Sequence, residues 1–351
     1  MKINKDQVIP SRWQKLTFDY KRGSGHLLAF MRNRFRWHYY PRLHYVSRFP
    51  DHVDVEISSA CNMKCPMCYT ITDEFKQKIK RQFMEFDLFK KIIDECVSYG
   101  TYSIRLSLRG ETFIHKDAIR MIRYAKEKGI REVSTLTNNL ALNPALFEEA
   151  MKAGLDWLTI SFDGLGDTYE SIRKPAKFAD SYGKIKEYKC IKVKAHSLKP
   201  VIKVQSVWPA VKDNAQEYLD AFRPYADDIA FNPLVDYLHV DEDIQYLSNF
   251  TCPVLYQRLV IGSDGMALLC SNDEFCMHPV GDANIEPLHS IWHGEGMTGA
   301  RDIHLRHKGV ELLGPCGHCY LPRKTQPVVE HIGDRKIVVD KYINRPDKVG
   351  A

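Results

Sequence analysis

Between residues 52 and 232 short β-branched runs alternate with amphipathic segments, and that rhythm leaves few folds open to the chain. The strand-like runs are Val53–Ser58, Tyr102–Leu108, Glu132–Thr137, Trp157–Phe162, Val201–Val207 and Asp228–Asn232. Helical patterns lie between them. Phe86–Val97 repeats Leu88, Phe89, Ile92, Ile93 and Cys96 at helical spacing. Lys116–Lys128 stops at Gly129 and Pro144–Ala153 stops at Gly154, with proline in a first turn and glycine after a last one. Asp180–Ala195 and Asp213–Phe222 complete the set. Such alternation predicts an α/β fold with a parallel sheet and right-handed crossovers, whose chemistry gathers at the C-terminal ends of the strands.

After about residue 240 the rhythm weakens into short strands, turns and cysteines, as in a small unit that supplements its core with metal. Four regions follow: 1–50, 51–240, 241–325 and a polar, basic tail 326–351 whose apolar run is Ile337–Val339. No apolar stretch is long enough for a membrane span, and the first thirty residues lack a signal-peptide core. A cytoplasmic protein is expected. Residues 1–50 hold eleven Lys or Arg against Asp6 and Asp19, a net +9, which leaves −3 for the rest. This basic, aromatic extension reads either as a solvated arm or as a docking surface for phosphate on a nucleotide, lipid headgroup or nucleic acid. Within it His26–Tyr40 is expected to be a basic amphipathic helix with Leu27, Leu28, Met31 and Phe35 on one side, suited to an anionic surface.

Ten cysteines in a reducing compartment point to metal or redox work rather than disulfides. Cys61, Cys65 and Cys68 directly follow the first strand. Three thiolates without a local fourth leave an iron of a 4Fe–4S cluster open, and an open position makes a metal site catalytic. Zinc would want a fourth ligand, and His52 is poorly placed for it. This CxxxCxxC after the first strand of an α/β repeat resembles the radical S-adenosylmethionine (radical SAM) superfamily, and the likeness extends over residues 53–235. The resemblance implies a partial (β/α)6 TIM-like barrel and a cluster whose open iron is chelated by S-adenosylmethionine. It also implies reductive cleavage of that molecule to a 5′-deoxyadenosyl radical that abstracts a substrate hydrogen. Met67 stands where the family often has an aromatic residue. Ser107-Leu-Arg-Gly110-Glu111-Thr is similar to the family's GGEP segment, with Arg109 and Thr112 as departures. By the same likeness Gly110 would allow close backbone approach and Glu111 would accept from the methionine amine. Asn138, Ser161, Asp163 and Arg173 follow later strands and would contact the same cofactor, although strand-end caps and turns use the same residue types.

Cys252, the run Ile261-Gly-Ser-Asp264-Gly265-Met-Ala-Leu-Leu-Cys270, and Cys316-Gly-His-Cys319 read as a hairpin flanked by thiols and a later CxxC. They resemble the SPASM/twitch extensions of the same superfamily, a small β-hairpin/helix iron–sulfur domain in which these four cysteines would complete a second 4Fe–4S cluster. A structural zinc site suits the same four thiols. Cys276 is either a replacement ligand or a thiol near the substrate; Cys190 is either buried or a hydrogen donor; Cys96 reads as core. With no open iron, the second cluster suggests an electron acceptor. The resemblance therefore implies dehydrogenation of a hydroxyl-bearing carbon on a carbohydrate-like or other small polar substrate, phosphorylated or nucleotide-linked. A reducing partner such as flavodoxin or ferredoxin would serve it. Three alternatives stand: a radical epimerase using Cys276 or Cys190, a ribosomal-peptide-modifying SPASM enzyme, and a non-catalytic zinc protein.

Overall fold

The computed structural model describes residues 12–232, 234, 243–333 and 335–343. Its main sheet begins with six parallel strands: β1 (His52–Val55), β2 (Ser103–Arg105), β3 (Glu132–Thr137), β4 (Trp157–Ser161), β5 (Val201–Val207) and β6 (Asp228–Asn232). The expected order holds, and β3, β5 and β6 keep their expected limits. β1 and β2 are shorter than the hydrophobic runs because the chain leaves the ladder early. After Val55 it turns toward the cysteines, with Ser58 bridging Phe83, and after Arg105 toward Gly110. Helices Phe86–Ser98, Ala118–Lys128, Pro144–Lys152, Phe178–Lys194 and Ala215–Phe222 fill the crossovers. Gly129 and Gly154 take the left-handed conformation after two of them, at φ 107° and 96°.

The region after residue 250 is joined to that sheet. β7 (Arg258–Ile261) pairs parallel with the free side of β1, from His52 against Arg258 to Val55 against Ile261. β8 (Met266–Leu268) and β9 (Pro279–Asp282) continue it antiparallel, so the order is β6-β5-β4-β3-β2-β1-β7-β8-β9. One apolar core runs from Val53 and Ile104 through Ile160 and Val204 to Leu259, Ile261 and Trp292. The tail forms a separate antiparallel hairpin, β10 (Thr325–Ile332) with β11 (Arg335–Tyr342), which a single apolar run did not announce.

The N-terminal extension forms α1 (Arg12–Gly23) and α2 (Leu27–Tyr39) against the N-terminal ends of the strands. Its charge is partly spent inside the molecule, which corrects the picture of a free basic arm. Arg22 donates to both oxygens of Glu132 at 2.8 and 3.0 Å, Lys21 reaches Asp227 at 2.6 Å, and Arg36 reaches Asp51 at 2.9 Å. Phe18 meets Trp157 edge-on. On α2, Phe30 and Asn33 face inward while Leu27, Leu28, Met31 and Phe35 are exposed. Among the described residues no helix is long and apolar enough to cross a membrane.

Candidate active site

None of the ten cysteines is paired in a disulfide. Cys61, Cys65 and Cys68 lie on the loop after β1, close enough that each thiol perturbs Cys65 electrostatically. The loop is held by the Lys64 N–H donating to Lys174 O at 2.9 Å. Burial pushes the Cys65 thiol up to about 11. A thiolate there needs a positive centre, which iron supplies, so the donor set fits a cluster. Asn138 Nδ2 donates to Cys61 Sγ at 3.6 Å and Arg173 Nη1 to Cys65 Sγ at 3.8 Å. Both placements turn side-chain donors toward sulfur.

Glu111 is buried beside this loop. It accepts from the N–H groups of Asn138 (2.7 Å) and Phe113 (3.1 Å) and from Thr137 Oγ1 (2.8 Å), while burial raises its carboxyl above the ordinary range. Gly110 makes its close approach to the chain itself. A Cβ there would stand 2.3 Å from Ala60 O and 2.4 Å from Ser58 O, so its bareness lets the segment before Cys61 pass. Asp163 is placed behind the site rather than in it. Its Oδ1 accepts from the Val207 N–H at 2.8 Å and its Oδ2 meets Arg173 at 2.5 Å, which leaves the carboxylate 1% exposed. It holds Arg173 against Cys65. Met67, Gly110, Glu111, Asn138, Ser161 and Arg173 instead line one cavity of about 770 Å³, together with the three cysteines.

That cavity runs the length of the strands. Glu132 at the start of β3 and Asn138 beyond its end both line it, a span of roughly 20 Å at ~3.3 Å per residue. Its lining includes residues that pattern reading passed over: Arg34, Trp37, Arg105, Lys203, Arg258 and Tyr320. Inward alternation on β5 would have marked Lys203, whereas α2 and the chain after Cys319 reach the lumen only through tertiary packing.

Cys252, Cys270, Cys316 and Cys319 gather around the β7–β8 hairpin, and burial together with the neighbouring thiols pushes Cys270 well up. N–H groups turn toward sulfur here too. Asn272 Nδ2 donates to Cys319 at 3.2 Å and the Leu321 N–H at 3.4 Å. Among the described residues no three His, Cys, Asp or Glu side chains are grouped to hold a single metal ion. Cys276 lies apart, near Asp273, Asp264 and Arg109, and does not line the cavity. Cys190 is exposed on helix Phe178–Lys194, and Cys96 is buried in the core. Arg109, the departure from the glycine of the motif, forms a buried ion pair with Glu56. Glu56 also accepts from the Ser263 N–H at 3.0 Å, which ties the turn after β7 to the strand ends.

Comparison with known proteins agrees with this geometry. Residues 55–230 match the family model for the radical SAM superfamily, and residues 252–320 match the SPASM model, an iron–sulfur cluster-binding domain. A probable GTP 3′,8-cyclase of Methanococcus maripaludis is 26% identical over 246 residues, covering 64% of this chain and 78% of that protein. The Fe-coproporphyrin III synthase of Methanosarcina barkeri is 30% identical over 113 residues, 32% of this chain and 27% of that protein's length. Among solved structures, BtrN in complex with AdoMet and 2-DOIA superposes with a TM-score of 0.52 at 17% identity, covering 75% of this chain and 89% of that one. Streptococcus suis SuiB bound to S-adenosylmethionine gives 0.54 at 13%, covering 83% and 76%. The cofactors are 4Fe–4S clusters and S-adenosylmethionine. The chain belongs to the radical SAM superfamily and carries a SPASM iron–sulfur domain at its C-terminal side.

Proposed function

We propose that the chain dehydrogenates a hydroxyl-bearing carbon of a small polar, carbohydrate-like substrate held in the barrel cavity. In this reading Cys61, Cys65 and Cys68 hold the catalytic cluster, and Cys252, Cys270, Cys316 and Cys319 hold the second. When bound, these groups supply a 5′-deoxyadenosyl radical that takes a hydrogen atom from the carbon, and an acceptor for the electron left as the hydroxyl proton departs. The chain's part is to orient and to shield. Glu111, fixed by three donors, would accept from the methionine amine, and Asn138, Ser161 and Arg173 line the same end. A small reducing protein of the flavodoxin or ferredoxin kind provides the first electron.

The observation that carries the dehydrogenase reading is Tyr320. It follows Cys319 directly yet lines the cavity beside Arg105, so the second cluster's ligand loop borders the substrate space. Among the described residues the cysteines lining the cavity are Cys61, Cys65 and Cys68, which offers an epimerase no hydrogen-donating thiol. The described part of the extension packs as α1 and α2 on the barrel floor. Anaerobic reconstitution tests the reading: about eight irons per chain and release of 5′-deoxyadenosine by dithionite-reduced protein are expected. About four irons with cleavage would remove the electron acceptor, and dehydrogenation with it.

The outer face of α2 supports a peripheral role as well. Leu28 is 84% exposed and Met31 59%, beside the exposed Arg32 and Arg42. This combination suits an anionic surface. Flotation with anionic but not neutral vesicles is the expected result; equal behaviour with both removes the idea.

A further inference from the structure

We propose that the N-terminal half of the barrel cavity is a binding site for a phosphate-type dianion of the substrate, formed by Arg34, Arg105, Lys203 and Arg258. This rests on the reading that the substrate occupies the cavity, and it adds the chemical class and the end at which the substrate is gripped.

Strand register sets the level of the site. Asp54 on β1 lies opposite Arg105 on β2, Arg105 opposite Ser134 on β3, and Ser134 opposite Trp157 on β4. Arg105 donates to Asp54 at 2.9 Å and Arg258, entering from β7, donates to the same carboxylate at 3.2 Å. One carboxylate thus answers two guanidiniums. His52 also meets Asp54, at 2.9 Å, but burial lowers its pKa, and it brings no third charge at neutral pH. Arg34 reaches the same space from α2. Its hydrogen bonds go to Asn33 Oδ1 and its guanidinium lies 5.1 Å from the centre of the Trp37 ring. Among the described residues no carboxylate lies within 4.0 Å of it. Burial and the neighbouring Arg22 bring it down to about 10, which leaves it charged. Lys203, on β5, has Asp228 at 3.8 Å.

With the Arg22–Glu132 pair that lines the same end, five cations face three carboxylates, and the excess of two positive charges is held inside a lumen where charge is expensive to keep unpaired. Arg105 spends its Nε on Asp54 as well, at 2.9 Å from Oδ1, whereas the Nε of Arg258 and the indole Nε1 of Trp157 are buried with no hydrogen-bond partner among the described residues. A wall that carries two more cations than carboxylates selects an acceptor-rich, doubly charged group. Guanidinium forks match phosphate oxygens in pairs. The site is well removed from the cofactor end. Ser134 and Asn138 are four residues apart along β3, roughly 13 Å at ~3.3 Å per residue. A substrate gripped here spans the lumen, with its charged end on the floor and its reacting carbon toward Cys61, Cys65 and Cys68. α1 and α2 then have a second duty, since α2 supplies one of the four cations.

The test is calorimetric titration of the reconstituted full chain with inorganic phosphate and, separately, acetate, at about 0.15 M ionic strength so that diffuse surface attraction is screened. Saturable phosphate binding is expected, at least tenfold tighter than acetate. Arg34→Gln breaks no ion pair and Lys203→Gln alters a different element; each should weaken phosphate at least tenfold, whereas Lys194→Gln on an outer helix should not. Absence of phosphate binding in the unmodified protein, equal affinity for acetate, or unchanged binding in both site variants overturns the proposal. 5′-Deoxyadenosine release by the unmodified protein is measured in parallel. Cleavage without phosphate binding sinks the anion site and leaves the radical reaction standing. Phosphate binding without cleavage supports the site and sinks the proposed reaction.

Discussion

Single residues at the site act mostly by occupying or vacating space around the cysteine loop. Gly110 has no side chain because the carbonyls of Ser58 and Ala60 stand where a Cβ would go. Backbone cannot rotate away as a flexible side chain can, so Gly110→Ala should displace the segment entering Cys61. A loss of about 1–3 kcal/mol is expected from overpacking of this kind, together with reduced iron retention. Thermal unfolding and iron analysis of the anaerobic protein check both. Arg109 works through charge instead. Its side chain is 1% exposed and that of Glu56 0%, so Arg109→Ala would strand a buried carboxylate. The expected cost is about 3–5 kcal/mol, and Arg109→Lys should recover only part of it because an ammonium cannot reproduce the fork. Equal melting temperatures for the wild type and Arg109→Ala would show that the pair is not holding the junction.

Elements bring these residues together, and the floor of the barrel depends on α1. Burial alone would raise the Glu132 carboxyl, but Arg22, with smaller contributions from Arg34 and His52, more than offsets that, and the net shift is downward from 4.5. A group whose pKa is lower in the folded protein contributes its stability in full above the unfolded value. That contribution is lost as pH falls through the folded one. Release of α1 is therefore expected below about pH 4.5 and not above it. Trp157 carries the readout, since Arg22 lies 4.1 Å from its ring centre and Phe18 packs on its edge. A fluorescence change in that acidic range should disappear in Arg22→Gln, where the pair is already broken. A transition between pH 6 and 8 would point to a different group.

At the scale of the whole molecule, the parallel pairing of β1 with β7 makes the radical SAM core and the iron–sulfur region one sheet. Unfolding in the reconstituted state is accordingly expected as a single calorimetric transition. Cys316→Ala combined with Cys319→Ala should lower iron from about eight to about four per chain and shift that transition as a whole. Two separate transitions would mean that β7 is not coupled to β1. Much of this architecture could be read from residue order. Six β-branched runs with helices capped by Gly129 and Gly154 dictate a parallel α/β sheet, because period and capping are local properties of the chain. The spacing of Cys61, Cys65 and Cys68 is local too, and three thiolates on eight residues after a strand have few uses. What lay beyond reach was every relation between distant segments. The partner of Arg22 is 110 residues away and that of Glu56 includes Ser263, so no window of sequence contains either. Asp163 and Asn138 look equivalent as polar residues after strands, yet folding ties the first to Arg173 and leaves the second on the cavity wall. Tyr320 and Arg34 enter the lumen from opposite ends of the chain for the same reason. Local free energies choose strands and helices, but which charges share a low-dielectric interior is decided only when the curved sheet and its helices pack around them.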